Sequence, residues 1–189
     1  PSGTEYDIGG ELLPDIVHKK LNVYGINIPY EWVDIGNVND FYNASCQILN
    51  KEIKNYKIFA SEVKEGIFIG LNVKVDFNKV NVIPPVFIGS STKIENGVTI
   101  IGPSVIGSNC LLKNNVLIKK SIVDDYKKIN FPALIENKII FSHSIISLDG
   151  NIVDTKQSEM NWLVEDVRVK NKHTLLEKSI SQLLKKSKS

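Results

Sequence analysis

Asp34 is one of few side chains whose type and setting allow chemistry. In Tyr30-Glu31-Trp32-Val33-Asp34-Ile35, strand alternation sets Tyr30, Trp32 and Asp34 on one face and Glu31, Val33 and Ile35 on the other. A carboxylate then ends an aromatic face. By residue type alone, such an acid caps the next helix or closes a turn, and the two aromatics are packing residues. His143, in Phe141-Ser142-His143-Ser144, is either a surface residue or a general base able to deprotonate a hydroxyl or amine. His18 and His173 sit by expected helix ends, Glu11 is a first-turn helix acid, and no Cys or His spacing suggests zinc.

The bulk composition bounds what these residues serve. The 189 residues carry 23 Lys plus Arg against 21 Asp plus Glu, spread along the chain except for the terminal Lys185-Lys186-Ser187-Lys188 run, so no nucleic-acid partner is indicated. Cys46 and Cys110 are too few and too differently placed for a disulfide framework. No apolar run is long enough to span a bilayer and no leader pattern opens the chain, so the expected setting is soluble and cytoplasmic. The start Pro1-Ser2-Gly3, without Met, reads as that of a fragment.

The elements that position Asp34 come first in the chain. From Tyr6 to Leu21, Leu12, Leu13, Ile16 and Val17 fall at helical spacing, with Glu11 early and Lys19-Lys20 late to suit the helix dipole. Leu21 to Ile35 reads as a hairpin turning at Gly25-Ile26-Asn27. Gly36 ends its second strand, and Asn37 or Asn39 caps a helix that carries Phe41, Ala44 and Ile48 and fades near Asn50.

The stretch from Val82 to Ile122 is a hexapeptide repeat. Ile88, Ile94, Ile100, Ile106, Leu112 and Ile118 form one register, and Thr92, Val98, Ser104, Cys110, Val116 and Ile122 form a second. Both registers fit a three-faced prism of about eighteen residues per coil, with both sets pointing inward. Cys110 is therefore read as a small buried hydrophobe. Gly89 and Gly107 fall one coil apart, Ile69-Gly70 and Val75 mark an imperfect first coil, and Pro84-Pro85 shifts the register. Asp124 to Pro132 reads as a loop thrown out from a corner, after which Leu134, Ile140, Ile146 and Ile152 resume the inward frame, with Lys138 as its exception. Asn161 to Val169 is strand-like, and a capping box at Thr174-Leu175-Leu176-Glu177 opens a terminal helix to about Lys185.

YDIGGELLPDIV, YEWVDIGNVNDFYNA and then IPPVFIG with its hexapeptides resemble, in that order, the second half of a sugar-1-phosphate nucleotidyltransferase of the mannose-1-phosphate guanylyltransferase or glucose-1-phosphate nucleotidylyltransferase type. The resemblance covers roughly Tyr6 to Ile152, and Trp32 to Gly36 followed by Asp40-Phe41 is its most specific piece. It implies a mainly β chain, with a left-handed parallel β-helix preceded by a small α/β remnant of a Rossmann-like nucleotidyltransferase domain; the C-terminal helix that follows lies outside the resemblance. The expected divisions are 1–52, 53–153 and 154–189.

In that family a sugar-1-phosphate oxygen attacks the α-phosphorus of a nucleoside triphosphate and pyrophosphate leaves. Carried over by motif, Asp34 matches a carboxylate that helps to hold Mg²⁺, the hard cation that neutralises charge on a transferring phosphate. The glycine-rich nucleotide loop, the first metal-binding acid and the Glu-Lys sugar element of the family should lie upstream of Tyr6. The chain is thus expected to be inactive alone, as a truncated enzyme in preference to a natural half that joins a separate catalytic chain. The β-helix and terminal helix are expected to build a homo-oligomer. Hexapeptide proteins also include coenzyme A-dependent acyltransferases, which would use His143, and non-catalytic assembly or regulatory modules; both are alternative readings. Base and sugar stay open.

Overall fold

Branched aliphatic side chains at every sixth position stack into three short parallel sheets in the computed structural model, which describes residues 3, 5–54, 56–131 and 133–169. The chain divides into two units, Pro1–Trp32 and Val33–Ser189. The second unit holds the coil. Its first sheet runs β1 (Ser61–Lys64), β2 (Ile67–Ile69), β4 (Val86–Ile88), β7 (Ser104–Ile106), β10 (Ile122–Val123), β13 (Lys138–Phe141), β14 (Ser144–Ser147) and β15 (Ile152–Asp154). The second holds β5 (Lys93–Ile94), β8 (Leu111–Leu112), β11 (Lys127–Ile129) and β16 (Val164–Asp166). The third holds β3 (Asn81–Ile83), β6 (Thr99–Ile101), β9 (Leu117–Lys119) and β12 (Leu134–Glu136). From β2 to β13 the pairing is parallel throughout, and among the described residues only β1, β14, β15 and β16 attach antiparallel.

The expected inward slots are buried. Ile88, Ile100, Ile106, Leu112 and Ile118 have no exposed surface, and Thr92, Val98, Ser104, Cys110 and Val116 line the same interior. The Thr92 hydroxyl donates to the Gly107 carbonyl and accepts the Cys110 N–H, so the polar slot is satisfied. Gly89 and Gly107 stack at one corner, where a Cβ on either would lie 2.5 Å from the next coil. Only glycine allows that approach.

After Ile118 the coil shortens by one residue. Ile100 pairs with Ile118, 18 positions on, whereas Val105 pairs with Ile122 and Leu111 with Lys128, 17 positions on. Three residues separate Ile101 from Val105, but two separate their partners Lys119 and Ile122. Three expectations change with this step. Ile122 is not inward: it lies on the outer face against Tyr42 and Ile139, and Ser121 takes the inner slot. Asp124 to Pro132 is not a loop outside the coil, because β11 continues the second sheet. Of the frame Leu134, Ile140, Ile146 and Ile152, Ile140 is inward as expected and is joined by Ala133 and Ile135, while Leu134 and Ile152 are exposed and Ile146 faces the outer cluster. A strict step of six cannot follow a coil of 17.

The helices are short. In the first unit, a π-turn (Ile8–Leu12) leads into α1 (Leu13–His18). Asp7 accepts from the Gly10 N–H, and Glu11 accepts from the Asp7 N–H at 2.7 Å, so Glu11 is a helix-start acid as expected. The expected hairpin over Leu21 to Ile35 is absent. No strand forms there; Tyr24, Ile26, Tyr30 and Trp32 are exposed, and Pro29 lacks the N–H that a ladder needs. A two-stranded ribbon without a third strand is marginal in water.

In the second unit, α2 (Val38–Leu49) begins and ends where Asn37 and Asn50 predict. Its buried residues are Tyr42, Ala44 and Leu49, with Val38 and Cys46 half-buried beside Tyr42; of the expected stripe, Ala44 is buried and Ile48 half-buried, but Phe41 is exposed. Twelve residues rise about 18 Å, enough to cross the outer face of the first sheet from Ile139 on β13 to Phe87 on β4. At the late end of the coil, Val164 and Leu163 pack on the core, so the strand-like run Asn161 to Val169 becomes the capping strand β16. The expected terminal helix lies outside the described residues.

Candidate functional site

Asp34 stands in an irregular segment, exposed, two residues before Gly36. Among the described residues its carboxylate takes part in no hydrogen bond or ion pair. Asp40, the next acid along the chain, is engaged: it accepts the Gly36 N–H at 3.3 Å, and its own N–H donates to the Asn37 side chain at 3.0 Å. This reciprocal cap satisfies orphan donors at the start of α2 and fixes the turn between Asp34 and the helix. Tyr42, two residues further, donates its hydroxyl to the Pro103 carbonyl at 3.4 Å and buries its ring against Ile122 and Ile139. Burial raises the affinity of that hydroxyl for its proton. Asp34 is thus tied through one short turn to a helix seated on the coil.

The aromatic face expected beside Asp34 does not form, because Tyr30 and Trp32 are exposed on a chain without strand pairing. Among the described residues no three His, Cys, Asp or Glu side chains gather as a metal cage. The described residues thus offer no ready-made acidic or imidazole cage at Asp34. The fit is that of one hard oxygen donor with both lone-pair sites unengaged.

His143 lies in the turn after Phe141, where its carbonyl accepts from the Thr155 N–H and hydroxyl at 2.8 and 2.9 Å. Among the described residues, two cavities of the second unit form without it. The larger, about 570 Å³, lies at the start of the coil between Leu49, Lys51, Lys64, Val82 and Pro84-Pro85. Lys51 is neutralised by both oxygens of Glu62 at 2.8 and 2.9 Å, and the Lys64 ammonium sits 5.8 Å over the Phe77 ring. The smaller, about 270 Å³, lies between α2 and the sheet at Ile48, Phe59, Phe87 and Val105. No sequence signal pointed to either, since each joins side chains from separate elements. Cys110 behaves as expected: burial pushes its thiol up to about 11.

The sequence also gave no hint of Lys127. It fills the inward slot below Cys110 with 2% of its side chain exposed, and its ammonium reaches Asp124 at 3.9 Å and Asp166 at 4.0 Å. Arg168 grips the same Asp166 carboxylate at 2.6 Å, and that bond, more than Lys127, holds the acid well below the usual carboxylate range. The arrangement clamps β16 to the coil end.

Residues 85–120 match the family model described as bacterial transferase hexapeptide (six repeats). The chain is 38% identical over 168 residues to the UTP–glucose-1-phosphate uridylyltransferase of Synechocystis, a match that covers 89% of this chain and 43% of that protein. It is 25% identical over 95 residues to the glucose-1-phosphate adenylyltransferase of Desulfitobacterium hafniense, covering 50% of this chain and 21% of that protein. The chain thus spans less than half the length of the relatives it matches. Hexapeptide coil and relatives agree, and together they support a likeness of this chain to the hexapeptide-repeat, C-terminal part of a sugar-1-phosphate nucleotidyltransferase.

Proposed function

We propose that this chain works within a complete enzyme that joins a nucleoside triphosphate to a sugar-1-phosphate and releases pyrophosphate. The observation that carries this reading is the 38% identity to a uridylyltransferase, extending over 89% of the chain and so through the Asp34 segment as well as the coil. That relative's name favours UTP and glucose-1-phosphate as the pair to test first. Asp34 contributes one oxygen to a Mg²⁺ site whose remaining ligands lie elsewhere in the complete protein. When bound, that ion supplies charge neutralisation at the phosphates. The coil holds α2 and serves homo-oligomerisation. Two free cysteines suit a reducing cytoplasm, and among the described residues no helix is long and apolar enough to cross a membrane.

The complete protein should release pyrophosphate from UTP and glucose-1-phosphate only when Mg²⁺ is present. Asp34→Asn should lower kcat/KM by a hundredfold or more, on the order of 3 kcal/mol of transition-state stabilisation. Unchanged turnover in that variant would remove Asp34 from the metal site, and turnover of neither substrate would overturn the enzymatic reading. Sedimentation of the complete protein as a monomer would contradict the assembly role.

A further inference from the structure

We infer that Asp40 is a positioning residue for Asp34, and that through α2 the coil sets the metal-binding geometry. This rests on the reading of Asp34 as a Mg²⁺ ligand. The division of the chain supports it, since Asp34 groups with the coil in Val33–Ser189 and not with the residues before Val33. The chain between ligand and helix is Ile35-Gly36-Asn37, a short and exposed turn whose shape the core does not fix. Gly36 and Asn37 are instead held by Asp40: its carboxylate accepts the Gly36 N–H at 3.3 Å, and its N–H donates to Asn37 at 3.0 Å.

Asp40 is itself immobilised by the helix. Two residues on, Tyr42 binds the Pro103 carbonyl at 3.4 Å and is buried with Ile122 and Ile139 on the outer face of the first sheet. One path therefore runs from the packed coil through Tyr42 and Asp40 to the backbone two residues from Asp34. A carboxylate that ligates a cation gains affinity when its backbone is held before the ion arrives, as partners behind metal ligands do. The two acids have divided roles. Asp34 keeps its oxygens free, whereas Asp40 commits one of its oxygens to the turn.

The test measures Mn²⁺ affinity of the complete protein by electron paramagnetic resonance without substrates, together with the Mg²⁺ dependence of turnover. Asp40→Ala should weaken Mn²⁺ binding and raise the half-saturating Mg²⁺ about tenfold, leaving KM for UTP nearly unchanged at saturating Mg²⁺. Asp40→Asn, which keeps an acceptor oxygen, should restore affinity to within about twofold of wild type. Asn37→Ala removes the other half of the cap, gives the same direction, and serves if Asp40→Ala fails to fold. Asp34→Asn is the reference. If it abolishes Mn²⁺ binding while Asp40→Ala and Asn37→Ala bind like wild type, the positioning role is overturned and the metal reading stands. If Asp34→Asn binds Mn²⁺ normally, the metal reading falls and this inference with it.

Discussion

The early and late coils are built from one repeat but are stabilised differently. Residues 85–120 keep the 18-residue step and an interior of aliphatic, Thr, Cys and small side chains, and the family model covers this same span. Beyond Lys120 the step is 17, and the interior admits Ser121 and Lys127. The early coils hold themselves together by stacking. The late coils hold other things: their outer face receives Tyr42 of α2, and their open end receives β16. The helix α2 spans both parts, reaching Phe87, Pro103 and Val105 on the early coils as well as Ile122 and Ile139 on the late ones, whereas β16 attaches beyond Lys120, on β11.

The largest effect should come from breaking the early stack. Leu112 is fully buried between Ile94 and Ile129 on paired strands, so Leu112→Ala should cost about 3 kcal/mol in urea unfolding of this chain. A loss below about 1 kcal/mol would mean that the early coils do not depend on interior packing.

The late end should respond to charge. Removing Asp166 leaves the Lys127 ammonium buried with Asp124 alone, whose side chain is 36% exposed. Stranding a buried charge costs 3–5 kcal/mol when the pair is tight; at 4.0 Å the pair is loose, so Asp166→Ala should cost about 2 kcal/mol. Lys127→Met should be close to neutral, because the methylene volume stays and the charge leaves. Asp166 also carries a pH signature. Its carboxyl titrates lower when folded than when unfolded, because of Arg168 first and Lys127 last. Its contribution is then complete above the ordinary carboxylate range and is lost as pH falls below it. Wild type should lose stability on acidification below about pH 4, and Asp166→Ala should lose less. Equal acid sensitivity of the two proteins would place the clamp elsewhere.

This contrast explains what the sequence could and could not reveal. Ile88 to Ile118 were legible because a period of six repeats often enough to be seen without a structure. The cap at Asn37 was legible because a side-chain acceptor at a helix start has a local cause. Ile122 and Leu134 were misplaced because the deletion of one residue after Lys119 moves every later slot while leaving aliphatic residues at the old spacing. Lys127 was invisible, since its burial depends on Asp166, 39 positions away (127 to 166). The strand alternation around Trp32 was real in the residues but lacked pairing partners, and Asp34 was singled out by its motif, not by its surroundings.

The smallest effect belongs to an ion pair on the early coils. Glu95 accepts from Lys113 on the next coil at 2.8 Å and lies 3.9 Å from Lys93, with its side chain 15% exposed and that of Lys113 38% exposed. Lys113 foremost holds the Glu95 carboxyl below its ordinary range. A pair this open gains little over water, so Glu95→Gln should cost about 0.5 kcal/mol at neutral pH and less at high salt. The sign follows from the depressed titration: the difference between wild type and variant is full above the unfolded carboxylate range and vanishes as pH falls through the folded one. The stacked backbone of β5 and β8 stays in place without the charge, because Lys93 and Ile94 pair with Leu111 and Leu112 through main-chain bonds and a shared interior. A cost above about 1.5 kcal/mol, or one insensitive to salt, would show that the early coils too rely on charge at their surface, and the contrast with the Lys127 end would lose its basis.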